Sequence, residues 1–202
     1  MQRDFFDFGP ALPGGLSYEP EFLTGEEEAA LLEEFRALPF RHARFQQYTA
    51  RRRVVRFGSE AVRTRVPDEE ADFPRIAFPP FLCALRAKVA ARTGIAEARF
   101  EHGLVTEYSP GTPIGWHRDA PHHETVAGLS LAGECRMRFR PMRVRNGKAA
   151  AQGEAIALTL QPRSLYVMRD DVRWQWQHSI PAVKALRYSI TMRTQVAAGV
   201  VP

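Results

Sequence analysis

Trp116-His117-Arg118-Asp119 sets a histidine and a carboxylate two residues apart. In extended chain, residues i and i+2 point to the same face, so both side chains can reach one metal ion. The turn formers Ser109 to Pro113 just upstream predict such an extended entry. A third donor from elsewhere would complete a two-histidine, one-carboxylate set, which leaves three adjacent positions open on iron(II) for a bidentate cosubstrate and dioxygen. His178, in the strand-like run Trp174 to Ile180, is the natural candidate. The triplet alone is weak evidence. The same residues also describe a loop histidine, a turn-forming aspartate and a half-buried strand histidine.

A second constellation follows His178. Leu186-Arg187-Tyr188-Ser189-Ile190-Thr191-Met192-Arg193 carries two arginines six apart, on one side of a strand. Guanidinium forks suit the carboxylates of a dicarboxylic acid, because arginine pairs in a planar bidentate way and keeps its charge when buried. In a chain with 25 arginines such a pair is common by chance (28 Lys+Arg less the lysines at 88, 148 and 184). Its position within an apolar-alternating run is what gives it meaning, since a buried arginine needs a partner.

The order Leu104-Val105-Thr106-Glu107-Tyr108-Ser109-Pro110-Gly111, His117-x-Asp119, Leu129-Ser130-Leu131, His178, Arg187-x5-Arg193 closely resembles the AlkB-like dioxygenases, oxidative dealkylation enzymes, over about residues 100–194. Earlier the match is looser, with Phe22-Leu23 and the segment Arg51 to Gly58 looking like the family's entry and substrate lid. The resemblance implies iron(II) on His117, Asp119 and His178, with Arg187 completing the catalytic set. It implies a 2-oxoglutarate pocket drawn from Leu104, Thr106, Tyr108, Arg187, Ser189 and Arg193. Tyr108 and Arg187 would take the distal carboxylate, and Arg193 would lie near the proximal end. Thr106 and Ser189 stand where the family commonly has Asn, so hydroxyls replace amides and the pocket should be slightly larger. Pro121 stands where several relatives have an acid that reads the damaged base.

The activity so implied is demethylation of N-alkylated bases in DNA or RNA, with 2-oxoglutarate and dioxygen consumed. Arg51, Arg52, Arg53 and Arg56 of the lid are candidate nucleic-acid contacts, and Arg51 and Arg53 with Trp116 and His122 are the substrate-side candidates; Tyr48 and Phe45 are further stacking residues. Arg136, Arg138 and Arg140 alternate along one strand face, which can track phosphates or simply stay solvated. Two other readings stay open: the same chemistry on a protein side chain or small molecule, and a binding module of this fold without turnover.

These residues need a scaffold, and the sequence predicts an α+β domain: a jelly-roll core, in the family's terms a double-stranded β-helix, with two N-terminal supporting helices. Thr24 with Glu27 at the capping-box position and apolar residues at 31, 32, 35 and 38 predict the first helix. Pro79-Pro80, then Phe81, Leu82, Leu85, Val89 and Ala90, then Gly94 predict the second. Strands are expected at 99–108, 125–131, 135–141, 155–160, 164–168, 174–180 and 187–194, with a hairpin excursion from Arg143 to Gly153 and a linker around Pro67 to Glu70. One domain spanning 1–202 is expected, with helices and lid in 1–98 and the catalytic core in 99–195.

Composition limits the alternatives. Two cysteines, Cys83 and Cys135, in no zinc-like spacing argue against a disulfide scaffold or thiolate metal site. No apolar run nears the roughly 20 residues of a spanning helix, and the acidic start lacks the features of a secretory leader. A cytoplasmic monomer is the expectation. A net charge of +5 fits a protein that meets a polyanion.

Overall fold

The computed structural model describes residues 12–45, 48–58, 76–145 and 148–197. The expected linker around Pro67 to Glu70 and most of the N-terminal arm lie outside these. In chain order the elements are β1 (Leu16–Glu19), α1 (Gly25–Phe35), β2 (Arg41–Phe45), β3 (Tyr48–Gly58), α2 (Pro80–Thr93), β4 (Phe100–Tyr108), β5 (Ile114–His117), β6 (His123–Leu131), β7 (Cys135–Arg145), β8 (Lys148–Ala151), β9 (Ile156–Leu160), β10 (Ser164–Met168), α3 (Asp170–Trp174), β11 (Trp176–Ile180) and β12 (Arg187–Gln195).

Both expected helices form for the reasons their sequences suggest. Thr24 Oγ1 accepts from the Glu27 amide at 3.1 Å, while Glu27 Oε2 accepts from the Thr24 amide at 2.8 Å, a reciprocal capping box. Helix α2 opens on Pro80, whose missing N–H costs nothing in a first turn, and stops at Gly94, which takes φ 71°.

Among the described residues, one sheet runs β1-β10-β6-β12-β4-β3-β2, and the other runs β5-β11-β7-β8 with β9 on the far part of β7. Pairing between the named strands is antiparallel throughout. This two-sheet roll with helices on one side is the double-stranded β-helix architecture that the sequence predicts. No described helix is long and apolar enough to cross a membrane.

The period of two in β12 organises the core. Ile190 and Met192 point to the helices and join Leu31, Phe35, Leu82 and Val89 in one apolar cluster. Arg187, Ser189, Thr191 and Arg193 point the other way, into the space between the sheets. There a second apolar cluster, including Val126, Met137, Phe139, Leu160 and Met168, closes the roll.

Two elements depart from the expected pattern. The run expected as a strand from 174 begins instead with the short helix α3, so Trp174 belongs to a helix and lines the inter-sheet space rather than packing within a sheet. Residues 114–117, expected only as extended chain, form β5 and pair with β11. The expected hairpin is β7–β8, closed between Arg145 and Lys148; Asn146 and Gly147 at its tip lie outside the described residues.

Candidate active site

His117 and His178 are directly opposite each other in the β5–β11 pair, and their rings stand 4.2 Å apart. Asp119 follows two residues beyond β5 and reaches the same place, its Oδ2 3.6 Å from His178 Nε2. Cis donors bonded at ~2.1 Å to one octahedral ion stand about 3 Å apart. Among the described residues no three His, Cys, Asp or Glu donors already stand at closed coordination spacing, so these side chains would have to draw together to hold an ion. Burial in the roll, with His117 beside it, pushes the His178 pKa down to about 3. The imidazole is therefore neutral, the form that binds metal. His117 Nδ1 lies 2.9 Å from the Gly115 carbonyl, which orients the ring and leaves Nε2 as its ligating nitrogen.

Burial on its own would raise the Asp119 pKa, but Arg193, the two histidines and Arg173 outweigh it and hold the carboxyl well below its usual range. Arg193 Nη2 donates to Asp119 Oδ1 at 3.2 Å. Arg193 thus holds in place a carboxylate that could serve a metal. The His117 ring, a neutral His178 imidazole and an ionised carboxylate make a donor set suited to iron(II).

The cavity beside these donors measures about 710 Å³. Arg187, 1% exposed, is the largest charged group buried in it. Its Nε donates to Ser130 Oγ at 2.9 Å, and its Cζ sits 5.0 Å from the centroid of the Tyr108 ring. Its Nη1 is buried without a hydrogen-bond partner among the described residues. A fully desolvated guanidinium with a vacant edge is costly unless an anion meets it, and a carboxylate of 2-oxoglutarate fits that vacancy. Thr106, Ser189 and Ser130 lie side by side across β4, β12 and β6, a row of hydroxyls along the same floor. Leu104 and Tyr108 also line the cavity.

The substrate-side candidates are dispersed. Arg53 lies on the helix-facing side of β3, bidentate to Glu107 at 2.7 and 2.7 Å, with its guanidinium 5.4 Å from the Phe40 ring. It is a packing ion pair, because register pairs Arg53 with Glu107 and Val54 with the cavity residue Thr106. Arg52, its neighbour, lines the cavity. Arg51 is exposed, with Nη1 close to Gly111. Trp116 points away from His117, to the outer face of its sheet, under Arg138 and Arg140. His122 stacks on His123 at 4.1 Å, and it is His123 that lines the cavity. The side chains of Phe45 and Tyr48 lie outside the described residues.

Two buried cavity residues, Arg173 and Tyr166, were not singled out from the sequence. Arg173 of α3 is 3% exposed, donates from Nη2 to the Ala120 carbonyl at 2.5 Å and stacks 4.4 Å over Trp174. Burial lowers its pKa. Tyr166 reaches in from β10 across Gly128, where any Cβ would fall 2.1 Å from the ring. Pro121 also lines the space. The only sequence signal for Arg173 is its position five residues before His178, which means little until α3 is known.

The profile of the 2OG-Fe(II) oxygenase superfamily matches residues 15–193 of this geometry's chain. The chain belongs to the 2OG-Fe(II) oxygenase superfamily. It is accordingly a dioxygenase that uses iron(II), 2-oxoglutarate and dioxygen. Within the superfamily it is AlkB-like. It is 30% identical over 183 residues to the "Alkylated DNA repair protein ALKBH8 homolog" of Arabidopsis thaliana, a match covering 83% of this chain and 51% of the relative. It is 27% identical over 176 residues to the "Probable RNA/DNA demethylase ALKBH6" of Danio rerio, covering 85% of this chain and 71% of the relative. The chain thus spans about half the length of the Arabidopsis relative. Among solved structures, OsALKBH1 superposes with a TM-score of 0.63 at 13% identity, covering 91% of this chain and all of that one. A Pseudomonas putida prolyl-4-hydroxylase gives 0.56 at 16% identity, covering 90% and 93%. At these identities the structural likeness concerns the fold.

Proposed function

We propose that this oxygenase removes N-linked methyl groups from nucleic acid bases, with His117, Asp119 and His178 holding iron(II) and Arg187 anchoring 2-oxoglutarate. The observation that carries the cosubstrate assignment is the buried vacant Nη1 of Arg187 in the cavity that the three donors border. The choice of substrate is supported by the alkylation-repair and demethylase relatives and by the chain's net charge of +5.

The bound metal and cosubstrate supply oxidation of a C–H bond by one atom of dioxygen, the other atom ending in succinate with loss of carbon dioxide. The chain's own residues do the rest. Ser130 and Tyr108 fix the Arg187 fork, Arg193 keeps the Asp119 carboxyl ionised and aimed, and Met137, Val126 and Ile180 keep the inter-sheet wall apolar. An N-hydroxymethyl product then collapses to formaldehyde and the dealkylated nitrogen.

The test is to incubate anaerobically reconstituted iron(II) protein with 2-oxoglutarate, oxygen and a panel of methylated DNA and RNA strands, quantifying succinate and formaldehyde together. Equal rises dependent on a methylated strand are expected. Succinate without formaldehyde would refute demethylation and favour hydroxylation of another substrate. Pro121 is the residue that favours that second reading, since it has no side-chain donor or acceptor with which to read a base.

A further inference from the structure

The outer face of the smaller sheet carries an arrangement of charge that the active site does not use. Along β7, Cys135, Met137 and Phe139 are buried inward, while Arg136, Arg138 and Arg140 project outward. The indole of Trp116, on neighbouring strands' outer side, lies 5.0 Å from Arg138 Cζ and 4.3 Å from Arg140 Cζ. Arg138 Nε donates to Ser179 Oγ at 3.1 Å; Arg140 donates from Nε and Nη2 to Gln177 Oε1 at 2.9 and 2.6 Å.

These anchors are all neutral. Several other surface arginines pair with acids: Arg86 with Glu97, Arg92 with Glu19, Arg99 with Glu124, Arg163 with Glu21 and Glu28; Arg118 instead donates to the Trp174 carbonyl. None of Arg136, Arg138 and Arg140 has a carboxylate partner among the described residues. Two guanidiniums are therefore held in place at full charge, side by side despite their repulsion, with N–H groups left over. An indole and neutral hydrogen bonds fix both cations while leaving their charge for an anion from outside the chain.

We propose that this face is a docking platform for the phosphate backbone of a nucleic acid strand, with Trp116 as the plate that holds the Arg138 and Arg140 forks. Alternate residues of a strand stand about 6.7 Å apart, close to the step between successive phosphates of an extended nucleic acid strand. Guanidinium forks match phosphate oxygens in geometry and stay charged. Trp116 and His117 are adjacent residues on opposite faces of β5, and β5 ends its sheet. A single terminal strand thus separates the platform from the metal donors. The choice of polymer rests on the nucleic-acid reading above; the platform itself does not depend on turnover.

The experiment measures binding of a short labelled strand of unmethylated RNA, and of DNA, by fluorescence anisotropy from about 50 to 300 mM salt. The variants are R136Q/R138Q/R140Q and R136Q alone. Each lost phosphate contact removes about 0.7 from the slope of log K against log salt for a single strand. The triple variant is expected to lose about 2 in slope and the single variant about 0.7. Arg136 is exposed and makes no hydrogen bond or ion pair among the described residues, so R136Q reports without risk to folding, and unchanged 2-oxoglutarate binding checks the triple variant. Slopes equal to wild type in both variants overturn the platform, as does absence of strand binding by wild type at low salt. Lowered slopes with no formaldehyde from any methylated strand leave the platform standing and remove demethylation; formaldehyde with unchanged slopes does the reverse.

Discussion

Replacing Arg187 by Met separates cosubstrate binding from stability, because the two should move in opposite directions. The side chain is 1% exposed and carries a positive charge whose Nη1 meets no acceptor among the described residues. Methionine is apolar, unbranched and flexible, so it replaces the aliphatic stem and removes a desolvated cation, though it stops two atoms short of the guanidinium end. Replacing buried charge with apolar volume is neutral or stabilising, and the protein without cosubstrate should melt no lower than wild type. Binding should suffer. Charge-assisted hydrogen bonds are each worth about 1.5–3 kcal/mol, and loss of a fork on a buried carboxylate costs about 3 kcal/mol or more. That is a rise in 2-oxoglutarate Kd of roughly 150-fold. Titration calorimetry of Mn(II)-loaded protein measures it directly. Thermal melts give a second reading: at a ligand concentration about 100 times the wild-type Kd, wild type gains about 2.7 kcal/mol and the variant about 0.3. For a domain of this size that is a shift of roughly 5–10 °C against about 1 °C. A Kd within about threefold of wild type, with full melting shift, would refute the assignment of Arg187 to the cosubstrate.

Other expectations concern the metal and the packing around it. His178→Ala should abolish iron binding, since two protein donors rarely hold the ion; normal iron stoichiometry by metal analysis would remove His178 from the set. Arg193→Met should weaken iron about 10- to 100-fold, the usual effect of losing a residue that orients a ligand, while the 2-oxoglutarate Kd at saturating metal changes much less. The opposite split would place Arg193 on the cosubstrate. Gly128→Ala should cost about 1–3 kcal/mol in denaturant unfolding through overpacking, because its Cβ falls on the Tyr166 ring. Adding Tyr166→Leu should recover most of that loss, and if it does not, the ring contact is not the cause.

Local signals reached far into this fold. The cap at Thr24, the stop at Gly94 and the alternation in β12 are each written in residues within one turn or strand of the feature they set. The convergence of His117 with His178 was legible as chemistry, two donors and a carboxylate seeking a third partner, though not as a strand pair. What failed was parity. Arg51 and Arg53 were favoured over Arg52 as substrate contacts, yet the side on which an arginine falls depends on the register of β3 against β4, and a one-residue shift exchanges the faces. Trp116 was named as a possible stacking residue for a base, whereas its adjacency to His117 in a strand puts the two on opposite faces. Arg173 and Trp174 were missed because a five-residue helix interrupts what reads as one apolar strand run. Ser130 acquires its role only when β6 and β12 lie together.

The position of the two histidines has a consequence for how the chain is held together. β5 is four residues long, ends its sheet and pairs with β11 alone among the described strands. A metal ion bonded to His117 and His178 is a cross-link between that short margin and the interior, closing a loop of 61 residues (178 less 117). Long closures are where such a clip removes the most freedom from the unfolded chain. Held by these two histidines as proposed, iron would rivet the edge of the roll, and metal depletion should loosen the edge before it unfolds the barrel. Amide exchange at residues 114–117 should quicken when metal is withdrawn while exchange in β12 stays slow; equal protection with and without metal would show that the edge holds by itself.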